Sequence, residues 1–219
     1  DIADRDDRIH DRVAPLPRHV LVRPAQSPQV VGVVRQREVV LREGAGDAEP
    51  GLAIGRQDGG HLDPEEWLCA QLPTRDGGYI VGLRAGLHRF DPKRGTFDLL
   101  CAVEPDATHN RLNDGYVDAD GYLWFGSMDD NEAEPTGALY QLTKDGCVRR
   151  DAPYVITNGP CVCNHNRTLY HTDTLKKEIY AFAKSRDGEL SAKRLFVTID
   201  EGYPDGPLVD STGTVWTGL

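Results

Sequence analysis

The sequence has no apolar run close to the length that crosses a bilayer, and its mean hydropathy is −0.49. We therefore expect no membrane span. It also lacks a basic amino-terminal segment that leads into an apolar stretch and a small-residue cleavage site. Without this pattern a secretory signal is not predicted, and we expect a cytoplasmic location.

The chain has fewer basic residues than acidic residues. Lys and Arg total 25 against 35 Asp and Glu, so the formal net charge is −10. No stripe of basic residues interleaved with aromatic residues is present, and we expect no nucleic-acid partner. An acidic balance is compatible with a bound cation. Nothing in the sequence indicates an oligomeric state.

Paired CxxC clusters are absent as well. The chain has five cysteines, an odd number, and their spacing supports neither a zinc ribbon nor a disulfide framework. We predict buried, reduced thiols. A redox role for the Cys-x-Cys pair is the alternative, which alternating strand faces disfavour. The five cysteines are Cys69, Cys101, Cys147, Cys161 and Cys163.

The first 66 residues contain no Phe, Tyr, Trp, Lys, Asn, Thr, Cys or Met, so every aromatic residue lies further along the chain. This composition excludes aromatic packing in that stretch and shows no turn-and-strand rhythm. We divide the chain into an atypical segment, 1–71, and a repetitive part, 72–219. The segment 1–71 is interpreted either as a frameshift-like start or as a disordered or divergent extension.

Short strands and glycine-rich turns alternate through residues 72–219. Asp-Gly turns precede apolar runs whose large side chains recur with period two, which is typical of sheet segments. The unit repeats every 45 residues or so, as β-propeller blades do. We predict an all-β propeller fold with almost no helix, in which about three blades are visible and a fourth begins at Gly213.

A polar motif returns once in each repeat. Its central residues are Asn113, Asn158 and Asp205, separated by 45 and 47 residues. Each lies eight residues before a turn position that opens an apolar strand. We predict that equivalent loops bring these oxygens together at one end of the central channel. Convergent oxygens there indicate a hard-cation site.

Each of these motifs, taken alone, is also an ordinary turn sequence, because Asn and Asp tolerate left-handed backbone and Gly adopts positive φ freely. Because all three motifs lie at the same position in their repeats, we favour a functional role over a purely structural turn. Asp114, beside the first motif residue, is expected to be a structural turn acid. Trp124 and Trp216 occupy matching strand positions and are predicted to be core residues.

Four motifs in order resemble the SMP-30/gluconolactonase (regucalcin-like) family. They are Asn-Arg-Leu-Asn-Asp-Gly at 110–115, the run 118–128, Thr-Asn-Gly at 157–159 and Pro-Asp-Gly at 204–206. The resemblance covers residues 72–219. It implies a six-bladed propeller with one divalent metal ion in the channel, which hydrolyses sugar lactones or related esters. Calcium, zinc, magnesium and manganese all suit such an oxygen-rich site.

The resemblance also implies roles for individual residues. Asn158 resembles a metal-coordinating carboxamide, and Asp205 resembles a metal ligand that also serves as general base. Arg111 and Asn113 resemble substrate-binding groups. Together they would suit hydrolysis of a small sugar lactone, in which a cation polarises the carbonyl and a carboxylate takes a proton from water.

The sequence departs from the family pattern at one point. The family supplies a further glutamate ligand from the first blade, but residues 12–37 contain no Asp or Glu. Glu43 is followed by a glycine, as such a ligand would be, yet it lies too close to Asn113 in sequence. Loss of an anionic ligand weakens metal binding. The alternative function is therefore a catalytically inactive propeller fragment or a binding scaffold.

Overall fold

A computed structural model describes residues 31–34 and 70–219. These two ranges contain strands and turns and no helix, which confirms the predicted all-β class. No helix that could cross a membrane is therefore found in the described ranges. The first strand, β1 (Val31–Val34), is the one described element that precedes residue 70. Cys69 and Glu43 lie outside the described residues.

Three sheets are four-stranded antiparallel meanders in which consecutive strands are neighbours. The first contains β2 (Ala70–Pro73), β3 (Tyr79–Leu83), β4 (Gly86–Asp91) and β5 (Thr96–Ala102). The second contains β6 (Asn110–Val117), β7 (Leu123–Asp129), β8 (Gly137–Thr143) and β9 (Gly146–Tyr154). The third contains β10 (Thr157–Val162), β11 (Thr168–Asp173), β12 (Glu178–Lys184) and β13 (Leu190–Thr198).

The fourth sheet has three strands. Strands β14 (Asp205–Val209) and β15 (Val215–Gly218) pair antiparallel, and β1 pairs with β15 in parallel. Strand β1 belongs to the segment 1–71 that the sequence sets apart. The fourth sheet already includes the strand that begins at Asp205, so the predicted start of the fourth blade at Gly213 was too late.

Strands β2, β6, β10 and β14 are the first strands of successive sheets, and each contacts the next. This is how the innermost strands of propeller blades surround a central channel. The described residues therefore form three complete blades and the beginning of a fourth, which confirms the predicted partial propeller.

Apolar clusters fill the spaces between neighbouring blades. Period-two alternation points one side of each strand at the preceding blade and the other side at the following blade. Trp124 of β7 and Leu169 of β11, for example, belong to one fully buried cluster. Burial of each such side chain contributes about 1.5–3 kcal/mol of transfer free energy.

The turn that opens the second strand of a blade uses a repeated side-chain acceptor. Asp118 Oδ1 accepts hydrogen bonds from two backbone N–H groups of its turn, and Oδ2 accepts one from Trp124 Nε1 at 2.9 Å. Asp210 does the same with Trp216 Nε1 at 2.8 Å. Cys163 Sγ accepts from two backbone N–H groups at the equivalent turn. Trp124 is a core residue as predicted, whereas Trp216 is only half-buried.

The cysteines depart from the prediction of reduced thiols. Cys101 of β5 and Cys147 of β9 form a disulfide, with Cα atoms 6.0 Å apart. They are 46 residues apart, about one repeat, so the blade period brings the two edge strands side by side. Cys161 is a buried free thiol as predicted, and Cys163 is a half-buried free thiol.

Candidate functional site

The three motif residues lie in the innermost strands, not in the predicted loops. Asn113 is in β6, Asn158 is in β10 and Asp205 is the first residue of β14. Each strand has a break in its pairing register at the motif, and such bulges re-aim side chains. The breaks lie between Leu112 and Gly115, between Asn158 and Cys161, and between Asp205 and Leu208.

The motif residues line one cavity of about 650 Å³. The structure thus brings together all four residues to which the sequence assigns a role: Arg111, Asn113, Asn158 and Asp205. The other residues of the lining are Asp114, Met128, Glu132, Ile156, Thr174, Leu175 and Tyr203.

The Asn158 amide lies at the centre of a hydrogen-bond network. Its Nδ2 donates to Thr174 Oγ1 at 2.7 Å, and Thr174 Oγ1 donates to the Pro204 carbonyl at 2.9 Å. On the other side, Asn158 Oδ1 accepts from Asn113 Nδ2 at 3.0 Å. Asn158 is only 7% exposed, so these bonds hold a buried side chain against the cavity wall.

Two carboxylates meet the same end of this amide. Asp205 Oδ1 lies 2.8 Å from Asn158 Oδ1, and Asp114 Oδ2 lies 3.2 Å from it. Rotating the amide would let its NH₂ group donate to both carboxylates. Thr174, with one hydroxyl hydrogen, would then have to donate to the amide and release the Pro204 carbonyl. With Asn158 Oδ1 on this side, Thr174 keeps both of its hydrogen bonds and three oxygens surround one point, which suits a hard cation. With Nδ2 on this side, the amide donates to the two carboxylates instead.

Asp114 is not the turn acid that the sequence suggested. It lies within β6, and its Oδ2 accepts a hydrogen bond from Gly159 N at 3.1 Å. Burial raises the pKa of Asp114; the charge of Asp205 acts in the same direction, and Gly159 N–H and Arg111 oppose them. One signal could have revealed it, since the equivalent positions after the other motif residues are Gly159 and Gly206.

Arg111 is held at the cavity wall by hydrogen bonds to other residues. Its Nε donates to Asp130 Oδ1, and its Nη1 donates to Asn113 Oδ1, both at 2.9 Å. Asp130 Oδ2 accepts from Arg84 Nη2 at 2.6 Å. The hydrogen bond and charge of Arg84, together with Arg111, hold the pKa of Asp130 below its usual value. From the sequence, Asp130 could border the pocket but was assigned no role; its partner Arg84 comes from another blade.

A family model described as the SMP-30/Gluconolactonase/LRE-like region matches residues 37–219. The chain belongs to this family. Two curated relatives are similar over most of the chain. The L-arabinolactonase of Azospirillum brasilense is 35% identical over 74% of this chain and 57% of its own length. The 6-deoxy-6-sulfogluconolactonase of Pseudomonas putida is 30% identical over 70% of this chain and 54% of its own length. The chain thus spans little more than half the length of these relatives.

A solved structure of the same fold is that of regucalcin from Agrobacterium tumefaciens, described as a calcium-binding protein. It superimposes with a TM-score of 0.66 at 25% identity, over 72% of this chain and 54% of that one. This agreement supports the propeller arrangement of the SMP-30/gluconolactonase chain described above.

Two large side chains lie at the opening of the cavity in this family member. Leu175 and Tyr203 are exposed there by 39% and 55%. Lys177 Nζ lies 5.0 Å from the centre of the Tyr203 ring. Such side chains can contact the apolar faces of a ligand, whereas the polar groups of the lining can form hydrogen bonds with it.

Among residues 31–34 and 70–219, no cluster of three or more His, Cys, Asp and Glu side chains could hold a metal ion. In the described part of this family member, the donor set at the cavity consists of the Asn158 carboxamide and the carboxylates next to it. Oxygen donors of this kind fit calcium, magnesium or manganese, and carboxylates also bind zinc.

Proposed function

We propose that this protein hydrolyses sugar lactones, or closely related esters, with one divalent cation. The observation that carries the proposal is the convergence of Asn113, Asn158 and Asp205, from three successive blades, with Arg111 in one cavity. The relatives named as lactonases support the choice of substrate class.

In this proposal Asn158 Oδ1 and Asp205 Oδ1, which are 2.8 Å apart, hold the cation. Calcium, zinc, magnesium and manganese are the candidates. When bound, the cation supplies a positive charge that polarises the lactone carbonyl and lowers the pKa of a nearby water. The network from Asn158 through Thr174 to the Pro204 carbonyl keeps the amide oxygen directed at this point.

Asp205 acts as the general base. Asp205 is an exposed residue that lines the cavity, so water reaches it there. It accepts a proton from the attacking water as the new C–O bond forms at the lactone carbonyl carbon. The ring C–O bond then breaks, the leaving oxygen takes this proton back from Asp205, and a hydroxy acid is released.

Arg111 and Asn113 bind substrate oxygens. The bonds from Arg111 to Asp130 and to Asn113 fix the plane of the guanidinium, which lowers the entropy lost when a substrate binds. Asn113 joins this group to Asn158, because its Nδ2 donates to Asn158 Oδ1. Its own Oδ1 has a second lone pair that can accept from a sugar hydroxyl.

The alternative function is a binding scaffold without catalysis. One observation favours it: no cluster of three His, Cys, Asp or Glu that could hold a metal is found in the described ranges.

A proton-release assay separates the two functions. We expect the purified chain to hydrolyse arabinono- or gluconolactone with a divalent cation and to lose this activity in excess chelator. A chain that binds cation and lactone without turnover would be a scaffold.

A further inference from the structure

We infer that Asp114 is a third oxygen ligand of the cation at this site and supplies its second negative charge. The inference rests on the proposed function, because it concerns the same cation. It assigns a role to a residue that the sequence motif alone places in a turn.

The first argument is the position of the carboxylate. Asp114 Oδ2 and Asp205 Oδ1 lie 3.2 and 2.8 Å from the Asn158 amide oxygen. The three side chains come from β6, β10 and β14, so three successive blades each direct one oxygen to a common point. Three oxygens at such distances repel one another. A bound cation or a shared proton removes this repulsion, and so does rotation of the Asn158 amide, which would release the Pro204 carbonyl from Thr174.

The second argument is charge. The nearest basic side chain in the cavity is Arg111, which donates to Asp130 and to Asn113. No salt bridge in the described part of the chain joins Asp114 or Asp205 to a basic residue. Two carboxylates at one point match the charge of a divalent ion, and calcium sites gain affinity as carboxylates are added.

The third argument comes from the repeat itself. In the next two blades the position that corresponds to Asp114 is occupied by Gly159 and Gly206. At Gly159, with φ +79°, a Cβ atom would lie 2.7 Å from Pro207 Cγ, so a side chain does not fit. At Gly206, with φ +48°, a Cβ atom would meet nothing within 4 Å. Of the three equivalent positions, the one in β6 is the one that carries a carboxylate.

Asp114→Asn is the informative variant, because an amide oxygen at this position can still accept the hydrogen bond from Gly159 N while the charge is lost. Asp145→Asn is the matched control, since it removes the same charge from the exposed β8–β9 turn. Both variants are titrated with calcium and with manganese by calorimetry, as the full chain, beside the wild type. We expect cation affinity to fall at least tenfold in Asp114→Asn and to stay unchanged in Asp145→Asn.

Thermal unfolding supplies a second measurement. Without cation, Asp114→Asn should be as stable as the wild type or more stable, because a repulsion has been removed. With saturating calcium, the wild type should gain more in melting temperature than the variant. A variant that is less stable without cation and gains the same increment with calcium would show a structural role and overturn the inference.

The outcomes separate this inference from the proposed function. Equal cation affinity in wild type and Asp114→Asn overturns the role of Asp114 alone. Cation binding by the wild type without lactone turnover overturns the proposed catalysis alone. A wild-type chain that binds no divalent cation overturns both the cation site and the role of Asp114.

Discussion

Arg111 Nε donates to Asp130 Oδ1 at 2.9 Å, and this ion pair sets the direction of the guanidinium at the cavity wall. Asp130→Ala should raise KM for the lactone about tenfold and change kcat less, because charge-assisted hydrogen bonds of this kind are worth roughly 1.5–3 kcal/mol. Asp130→Asn, which keeps an acceptor, should restore part of the loss. Steady-state kinetics on both variants tests this, and an unchanged KM in Asp130→Ala would refute the positioning role.

Asp205 has the most direct role in the proposed reaction. Asp205→Asn should lower kcat by about 10²–10⁴, the usual contribution of a general base, and should also weaken cation binding. The exposure of Asp205 leads us to expect little change in the melting temperature of the cation-free chain. Proton release and a thermal melt measure the two effects. Full activity in Asp205→Asn would exclude it as the base.

His171 predicts how stability depends on pH. Its imidazole is fully buried in β11 and packs edge-on against Tyr154, with ring centres 4.6 Å apart. Burial lowers the pKa of His171 from 6.5 to about 3; the charge of Lys193 also lowers it, and that of Asp151 opposes this. The unfolded chain therefore takes up a proton before the folded chain does as the pH falls.

The stabilisation is fully present above pH 6.5 and is lost between pH 6.5 and about 3. Each pH unit in that window should lower the free energy of unfolding by about 1.4 kcal/mol. At pH 5 the total loss relative to pH 6.5 should therefore be about 2 kcal/mol. Urea titrations at several pH values measure this slope. In His171→Phe, which keeps the aromatic contact, the slope should become shallower; an equal slope in both proteins would rule His171 out as its source.

The Cys101–Cys147 bond links the edge strands of two blades. By the chain-entropy model, closing a loop of this length stabilises the folded state by about 4 kcal/mol. The double variant Cys101→Ser/Cys147→Ser should therefore unfold at a lower urea concentration, and a reductant should lower the wild type to the same midpoint. Cys163→Ser, which changes a free thiol and keeps a hydrogen-bond acceptor at its turn, is the control. Equal midpoints for oxidised and reduced wild type would show that the bond does not stabilise the fold.

The sequence predicted the blades because their turn devices recur at the same interval as the strands. Asp118, Cys163 and Asp210 accept from the N–H groups of equivalent turns, and the strand that follows each turn starts in phase. The meeting of Asn113 and Asn158 could be foreseen for the same reason, since blade symmetry turns equal phase into spatial proximity.

The position of the motifs in strands could not be foreseen. Asn, Asp and Gly supply the backbone angles of turns, and bulges use the same residues, so local sequence does not separate the two structures. For this reason the sequence alone favours a turn acid at Asp114. Arg84 and Asp130 contact each other across two blades, and the Cys101–Cys147 bond likewise joins two blades. Both pairs are separated by about one repeat, which is a signal only after the blade boundaries are known.

The bulges of β6, β10 and β14 have one more consequence. They direct Asn113, Asn158 and Asp205, all on the first strands of their blades, into the cavity. The two outermost strands of the complete blades add no side chain to the cavity lining. The inner strands thus carry the polar residues of the cavity, and the outer strands complete the sheets. Replacing an outer strand by that of another propeller should change the thermal stability and protease resistance of the blade. The positions of the side chains in the cavity should not change. The outer strands are therefore suitable places for grafting foreign sequence.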